Sequence, residues 1–154
     1  MSHMRLCDFA PADASAVDAL GIAAFEQFST MYEDWPGFRA KIAAMSSLAV
    51  TGEIIVARDG GHIVGAVAYI GPHKPKSAFF SPEWAIMRML VVSPRARGQG
   101  VGRALAEACI QRAQRDGARM IGLHTSPIMA VALPMYLRMG FQLDREVPPI
   151  HGVP

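Results

Sequence analysis

Several features are scarce in this 154-residue chain, and each scarcity closes off a class. There are two cysteines, Cys7 and Cys109, without CxxC spacing, which excludes a disulfide framework and reads as two reduced, buried apolar residues. Uninterrupted apolar stretches such as Ile63 to Ile70 fall well short of the ~20 residues a membrane-spanning helix requires. No apolar segment precedes a small-residue cleavage site at the N-terminus, and Ser2-His3-Met4 reads as a cloning remnant with Met4 as the natural start. A cytoplasmic protein without a membrane association is the expectation. Excess charge is also missing. Fifteen Lys and Arg against thirteen Asp and Glu leave a net charge of +2, too little for nonspecific nucleic-acid binding and compatible with a small anionic ligand. His3, His62, His73, His124 and His151 are scattered without HExxH or another ligand spacing, so no metal is predicted.

Apolar residues, by contrast, make up 51% of the chain and are spread along it, enough to bury the core of one domain over residues 1–154. Arg5 to Phe9 reads as a first strand. A helix starts near Pro11 and Asp13, carries Val17, Leu20, Ile22, Ala24, Phe25 and Phe28 at roughly helical spacing, and fades near Ser29. Tyr32 to Pro36 reads as a loop and Phe38 to Leu48 as a second helical stretch. Glu53–Arg58 and His62–Ile70 are β-rich runs separated by Asp59-Gly60-Gly61, which predicts an antiparallel hairpin. Prolines and Lys74, Lys76 and His73 make 71–82 a surface loop. The run Trp84–Val92 predicts a strand that ends at Ser93-Pro94. A helix from Val101 follows, with Ala104, Leu105, Ala108 and Cys109 on one stripe and Gly117 at its C-cap. Arg119–Thr125 is the next expected strand, placed parallel to its predecessor by a right-handed crossover. Met129–Met139 reads as a last helix and Phe141–Val147 as a last strand.

The sharpest chemical signal is Arg97-Gly98-Gln99-Gly100-Val101-Gly102, between a strand and a helix. Glycines let backbone approach a ligand while a new helix presents unpaired N–H groups and its positive dipole end, an arrangement suited to phosphate. The segment is neither a Walker loop, because no Gly-Lys-Ser/Thr follows, nor a dinucleotide fingerprint, because Arg103 stands where the third glycine belongs. Leu90-Val91-Val92-Ser93-Pro94 followed by Arg97-x-x-Gly100-x-Gly102 resembles the strand and R/Q-x-x-G-x-G/A loop of the GNAT family of acetyl-CoA-dependent N-acetyltransferases. Leu123-His124-Thr125 and Ala132-x-x-x-Tyr136-x-x-x-Gly140-Phe141 resemble that family's next strand and tyrosine helix, in the same order. The likeness is specific from about Trp84 to Phe141 and architectural before it.

The resemblance implies an α/β fold with a mixed, largely antiparallel sheet, flanking helices and a parallel β-α-β core. It implies transfer of acetyl from acetyl-CoA to a primary amine by direct attack in a ternary complex. Backbone N–H groups of Arg97, Gly98, Gln99, Gly100, Val101, Gly102 and Arg103 would hold the coenzyme A pyrophosphate. Main-chain groups of Leu90, Val91 and Val92 would pair with the pantetheine arm, one of them polarising the thioester carbonyl. Tyr136 would return a proton to the leaving thiolate.

The chain also departs from the family. Met129 stands where many members have an asparagine, Pro134 interrupts the tyrosine helix, and the strand before the loop carries no carboxylate within it. Glu83 and His124 are the titratable candidates for drawing a proton from the amine, each with a plain alternative as a solvated or hydrogen-bonded side chain. Tyr32, Glu33, Asp34 and Trp35, with Phe25 and Phe28, are the expected acceptor wall: aromatic, with an acidic lip for a cationic amine, whether small molecule or peptide. Core packing explains Phe25 and Phe28 equally well. Pro148-Pro149 leave no room for a further strand, so the expectation is a longer native chain or a homodimer that covers the exposed edge. A noncatalytic acyl-CoA-binding module is the alternative function.

Overall fold

The computed structural model describes residues 4–154, so the remnant read at residues 1–3 lies outside the described residues. In chain order the elements are β1 (Met4–Asp8), α1 (Ala14–Phe25), α2 (Trp35–Ile42), β2 (Glu53–Asp59), β3 (His62–Ile70), β4 (Ala85–Val92), α3 (Val101–Arg115), β5 (Ile121–Gly122) and α4 (Ala132–Arg138), with short 3₁₀ turns between several of them. The strands form one five-stranded sheet in the order β1-β2-β3-β4-β5. Each of its first four members is antiparallel to its neighbour, and β5 runs parallel to β4.

The continuous apolar run in β3 has a direct cause: the sheet is covered on both faces. Ile55, Ala57, Val67 and Tyr69 face α3 and α4, while Ile54, Val56, Ala66 and Ala68 face α1. Alternate residues of one strand therefore enter two different cores. Gly65 in β3 allows α3 to approach, since a Cβ there would lie 2.7 Å from Val101 and 2.9 Å from Leu105. The predicted hairpin, the crossover helix and the left-handed Gly117 (φ 70°) all form.

Five local expectations change. The 32–36 loop is shorter, because Asp34 caps a helix that already begins at Trp35. Its Oδ1 accepts the Gly37 N–H at 3.0 Å, and Pro36 sits in the first turn, where no donor is needed. The stretch 38–48 is not one helix: α2 stops at Ile42, and a separate 3₁₀ turn spans Met45–Ala49. β5 has two residues instead of seven, because pairing with β4 is confined to Ala85↔Ile121 and Ile86↔Gly122. α4 starts at Ala132, three residues later than expected, which puts Pro134 in the first turn, where its missing N–H costs least. The expected strand 141–147 does not form; so short a β5 offers it little edge, and Leu143 is left 81% exposed among charged neighbours. Cys109 is buried as read, whereas Cys7 is only half-buried, on edge strand β1.

Candidate active site

The loop after β4 is built by its backbone. Ser93 Oγ accepts the Arg95 N–H at 3.3 Å and starts a single 3₁₀ turn, Pro94–Ala96, whose Ala96 side chain is buried and anchors the loop to the core. Arg97 then returns to extended backbone (φ −65°, ψ 148°). Gly98 and Gly100 both adopt φ 78°, a left-handed conformation that an L side chain enters only with strain. No atom lies within 4 Å of where either Cβ would stand, so both backbones face open space. Gly100 is the N-cap of α3, whose first intrahelical bond is Ala104 N–H to Gly100 C=O at 3.0 Å; the N–H groups of Val101, Gly102 and Arg103 precede that ladder. This run of donors at the positive end of a 15-residue helix suits a pyrophosphate. Arg103 is exposed and pairs with Glu107 at 2.9 Å.

β4 changes course ahead of this loop. Met89 has φ 57°, and β4 spends three steps, Arg88 to Val91, against two in β3, Ala68 to Ala66. This is a bulge. Among the described residues no strand pairs with β4 beyond Ile86 on the β5 side, so Leu90, Val91 and Val92 have no strand partner on that edge. The bulge was not foreseen, because neither Met89 nor Leu90 is a residue type that marks one.

Gly102 joins the parts. A Cβ there would lie 3.5 Å from Val92, 3.8 Å from Met135 and 3.9 Å from Leu90. The start of α3, the end of β4 and the residue before Tyr136 on α4 thus converge. Tyr136 is buried, its ring edge-on to Phe141 at 5.8 Å. Burial, and secondarily Cys109, hold its hydroxyl above the usual phenol range, so it keeps its proton. Burial also pushes the Cys109 thiol up to about 12, which makes it a poor nucleophile.

The candidate proton acceptors sit differently. Glu83 is exposed, two residues before β4 begins, and roughly 20 Å of extended chain separates it from Leu90. His124 follows β5, and one side of its ring leans on Phe79 at 5.7 Å. Partial burial lowers its pKa below the usual imidazole value and favours the neutral, proton-accepting form. Phe79 and Phe80 come from the 71–82 loop, which Lys76 draws together by donating to the carbonyls of Gly71, Lys74 and Pro82 at 3.1, 2.9 and 3.2 Å. Arg145 reaches the Phe79 carbonyl from the other side.

The residues read as an acceptor wall form a packed aromatic group. Tyr32 stacks on Phe38 with ring centroids 4.3 Å apart, and Trp35 lies 6.0 Å from Tyr32 and 6.2 Å from Phe38. Phe25 meets Phe28 and Phe38 edge-on. Phe38 is the centre of this group, and sequence reading left it out. Asp34 points one oxygen at its own helix and the other at His151 Nδ1, 3.0 Å away, and the Glu33 N–H donates to the His151 carbonyl at 2.9 Å. His151 is 117 residues from Asp34 in sequence, so no local signal marks the pair.

Among the described residues no cluster of three or more His, Cys, Asp or Glu is arranged for a metal, and no helix is long and apolar enough to cross a membrane.

Residues 20–141 match the family model described as the acetyltransferase (GNAT) family. N-acetyltransferase 8F1 of Rattus norvegicus is 36% identical over 97 residues, a stretch that is 63% of this chain and 42% of that protein; the match therefore spans well under half the length of that relative. A solved structure described as histone acetyltransferase HPA2 and related acetyltransferase, from Corynebacterium glutamicum, is 28% identical with a TM-score of 0.73, covering 97% of this chain and 90% of that one. A GNAT family acetyltransferase from Brucella melitensis, solved in complex with acetyl-CoA, has the same fold at 21% identity and a TM-score of 0.68, with 93% and 85% covered. The glycine cradle, the bulged β4 and the tyrosine helix thus lie in one matched stretch, and the chain belongs to the acetyltransferase (GNAT) family.

Proposed function

We propose that the chain transfers an acetyl group from acetyl-CoA to a primary amine by direct attack in a ternary complex. The observation that carries this reading is the convergence at Gly102 of the glycine cradle, the free edge of β4 and the tyrosine helix. In this reading the N–H groups from Arg97 to Arg103 hold the pyrophosphate. Leu90, Val91 and Val92 pair with the pantetheine arm along the β4 edge, and one of their N–H groups faces the thioester oxygen. Such a donor acts where negative charge develops, and is worth about 3 kcal/mol where one has been removed from comparable sites.

The amine nitrogen attacks the carbonyl carbon and the C–S bond breaks. The thiolate takes the Tyr136 proton, and the proton lost by the amine passes to His124 directly or through water. Support for His124 over Glu83 comes from desolvation that lowers its pKa and favours the proton-accepting form, and from the length of strand that separates Glu83 from Leu90; both side chains are exposed. No thiol relay enters, because Cys109 is buried and protonated. The acceptor is a small-molecule or peptide amine approaching the aromatic wall of Tyr32, Glu33, Asp34 and Trp35.

The test is an amine panel assayed by release of free coenzyme A thiol, alongside calorimetry with acetyl-CoA. Turnover with at least one amine, lost in Tyr136→Phe, supports the enzyme. Tight acetyl-CoA binding with no turnover across the panel would instead favour a noncatalytic acyl-CoA-binding module. Support for that second reading comes from β4, where Arg88 is exposed and no carboxylate lies between Ala85 and Val92.

A further inference from the structure

The turn 150–153 is tied to the aromatic wall by an unusual set of contacts. It closes on itself through Ile150 N–H to Val153 C=O at 2.8 Å and Val153 N–H to Ile150 C=O at 2.9 Å, and Val153 is buried. Gly152 has φ 84°, and a Cβ there would collide with the Glu33 side chain. Across the interface the Glu33 N–H donates to the His151 carbonyl, His151 Nδ1 meets Asp34 Oδ2 at 3.0 Å, and the imidazole lies 5.6 Å from the Phe38 ring. The imidazole therefore occupies a place made of one carboxylate oxygen and an aromatic face. A carboxylate beside an aromatic face is what an organic ammonium group seeks.

Two features show that His151 fits this place imperfectly. It is not a glycine, yet it adopts φ 48°, a conformation that strains an L residue. Its Nε2 is buried with no hydrogen-bond partner, so one ring nitrogen has exchanged water for nothing. Asp34 is poised for a better partner. Its side chain is 59% exposed, so an incoming cation can reach it. The Gly37 N–H, then His151 and the positive field of Lys41, hold its carboxyl below the usual range, so it is ionised at neutral pH.

We propose that Asp34 and Phe38 form the ammonium subsite of the acceptor, and that His151 occupies it as a built-in placeholder which a cationic amine displaces. The acceptor class that follows is a flexible aliphatic amine with a second positive centre: one nitrogen takes acetyl while the other lodges on Asp34. Displacement frees the 150–153 turn from Glu33, relieves the strained His151 backbone and returns Nε2 to water. The inference rests on the acetyl-transfer reading for the chemistry at the other nitrogen, but not for the displacement itself.

The experiment uses the whole chain with 1,5-diaminopentane as probe and 1-pentanol as its uncharged counterpart, in the absence of acetyl-CoA. NMR follows the His151 ring signals and hydrogen exchange at the Glu33 amide. The diamine is expected to move the His151 signals and speed Glu33 exchange at least fivefold, while pentanol does neither. This result supports the inference even where no acetyl transfer is found. Unmoved signals at a diamine concentration that saturates turnover overturn it, even where transfer is found.

A kinetic arm uses His151→Ala, which should lower KM for the diamine about fivefold and leave KM for acetyl-CoA and kcat within twofold. His151→Asn keeps a side-chain N–H for Asp34 and should restore most of the wild-type KM, which a purely structural role for the ring would not predict. A diamine KM unchanged in His151→Ala counts against displacement.

Discussion

The proposed coenzyme side and the proposed acceptor side of this molecule are built from different materials. At 97–103 the cradle is main chain: two glycines at φ 78° and a helix end, with the Arg103 side chain turned to Glu107. At 32–38 the wall is made of side chains, the three rings of Tyr32, Trp35 and Phe38 and the Asp34 carboxylate, closed by a turn from the far end of the sequence. A backbone site tolerates wide changes of side chain and fails when a dihedral angle changes. A side-chain site behaves the opposite way and can be retuned one contact at a time. One fold can thus keep its cosubstrate while its acceptor varies.

The largest expected effect tests whether the two sides meet at one chemical centre. Tyr136→Phe keeps the ring that packs on Phe141 and removes only the proton. It should lower kcat by about 10², the low end of what general acid catalysis supplies, with acetyl-CoA affinity close to wild type. Steady-state kinetics with a chemical step shown to be limiting, together with calorimetry, would read both values. An unaltered kcat would detach the tyrosine helix from the chemistry and leave water or another residue as the proton donor to the thiolate.

Next in size is the attack on backbone angle. Gly100→Ala forces a Cβ onto φ 78° where no neighbouring atom blocks it, so its cost is conformational and comes to about 1–2 kcal/mol. The protein should lose that much stability in urea titration, and acetyl-CoA affinity should fall about tenfold or more because the loop no longer holds the angle that aims its N–H groups. The amine KM should stay within about twofold, because nothing on the 32–38 wall moves. A matching loss on the amine side would erase the division between the halves.

What was legible in the sequence follows the same division. Glycine spacing after a strand, the hairpin at Gly60-Gly61 and the stripe of α3 could be read because each is a local rule about backbone angle or periodicity. The length of β5 could not, because it depends on how far a distant strand follows the β4 edge, and that pairing ends at Ile86, ahead of the Met89 bulge. The expected strand at 141–147 fails for the same non-local reason. On the acceptor side, Tyr32 to Trp35 stood out as aromatic and acidic, but Phe38 and His151 join them only through tertiary contacts. Asp34 was read as a lip and also caps α2; the glycine three residues later is the local sign of that role, since a Cβ at Gly37 would collide with the carboxylate.

Asp13 anchors the acceptor-side helix α1 to the sheet, and its removal should be felt as stability. Its Oδ2 accepts from the Ala10 N–H at 2.9 Å and pairs with Arg58 at 2.7 Å. The Arg58 hydrogen bond, then the Ala10 N–H, hold the carboxyl below its ordinary value. A carboxylate lowered on folding stabilises above its unfolded pKa of about 4 and loses that contribution as pH falls through the folded value. Asp13→Ala should therefore cost about 1.5 kcal/mol in urea titrations at pH 7 and progressively less as the pH is taken below about 4. A gap between wild type and variant that stays constant down to pH 2 would mean that the ion pair contributes nothing beyond its geometry.

The smallest expected effect separates two glycines of one motif. Gly102 lies in the first turn of α3 with helical backbone, and a Cβ would meet Val92, Met135 and Leu90 at 3.5–3.9 Å, ordinary contact distances. Ala is the better helix former, by up to about 1 kcal/mol in helix interiors and less at the first turn. Gly102→Ala should leave stability unchanged or raise it by about 0.5 kcal/mol in urea titration, and change acetyl-CoA affinity less than about threefold. Set beside Gly100→Ala, it asks whether the motif's second glycine is needed for its angle and its third only for proximity. A large affinity loss in Gly102→Ala would mean that the bound pyrophosphate presses against the first turn of α3 itself, so that bare backbone is required there even where the protein alone has room for a methyl group.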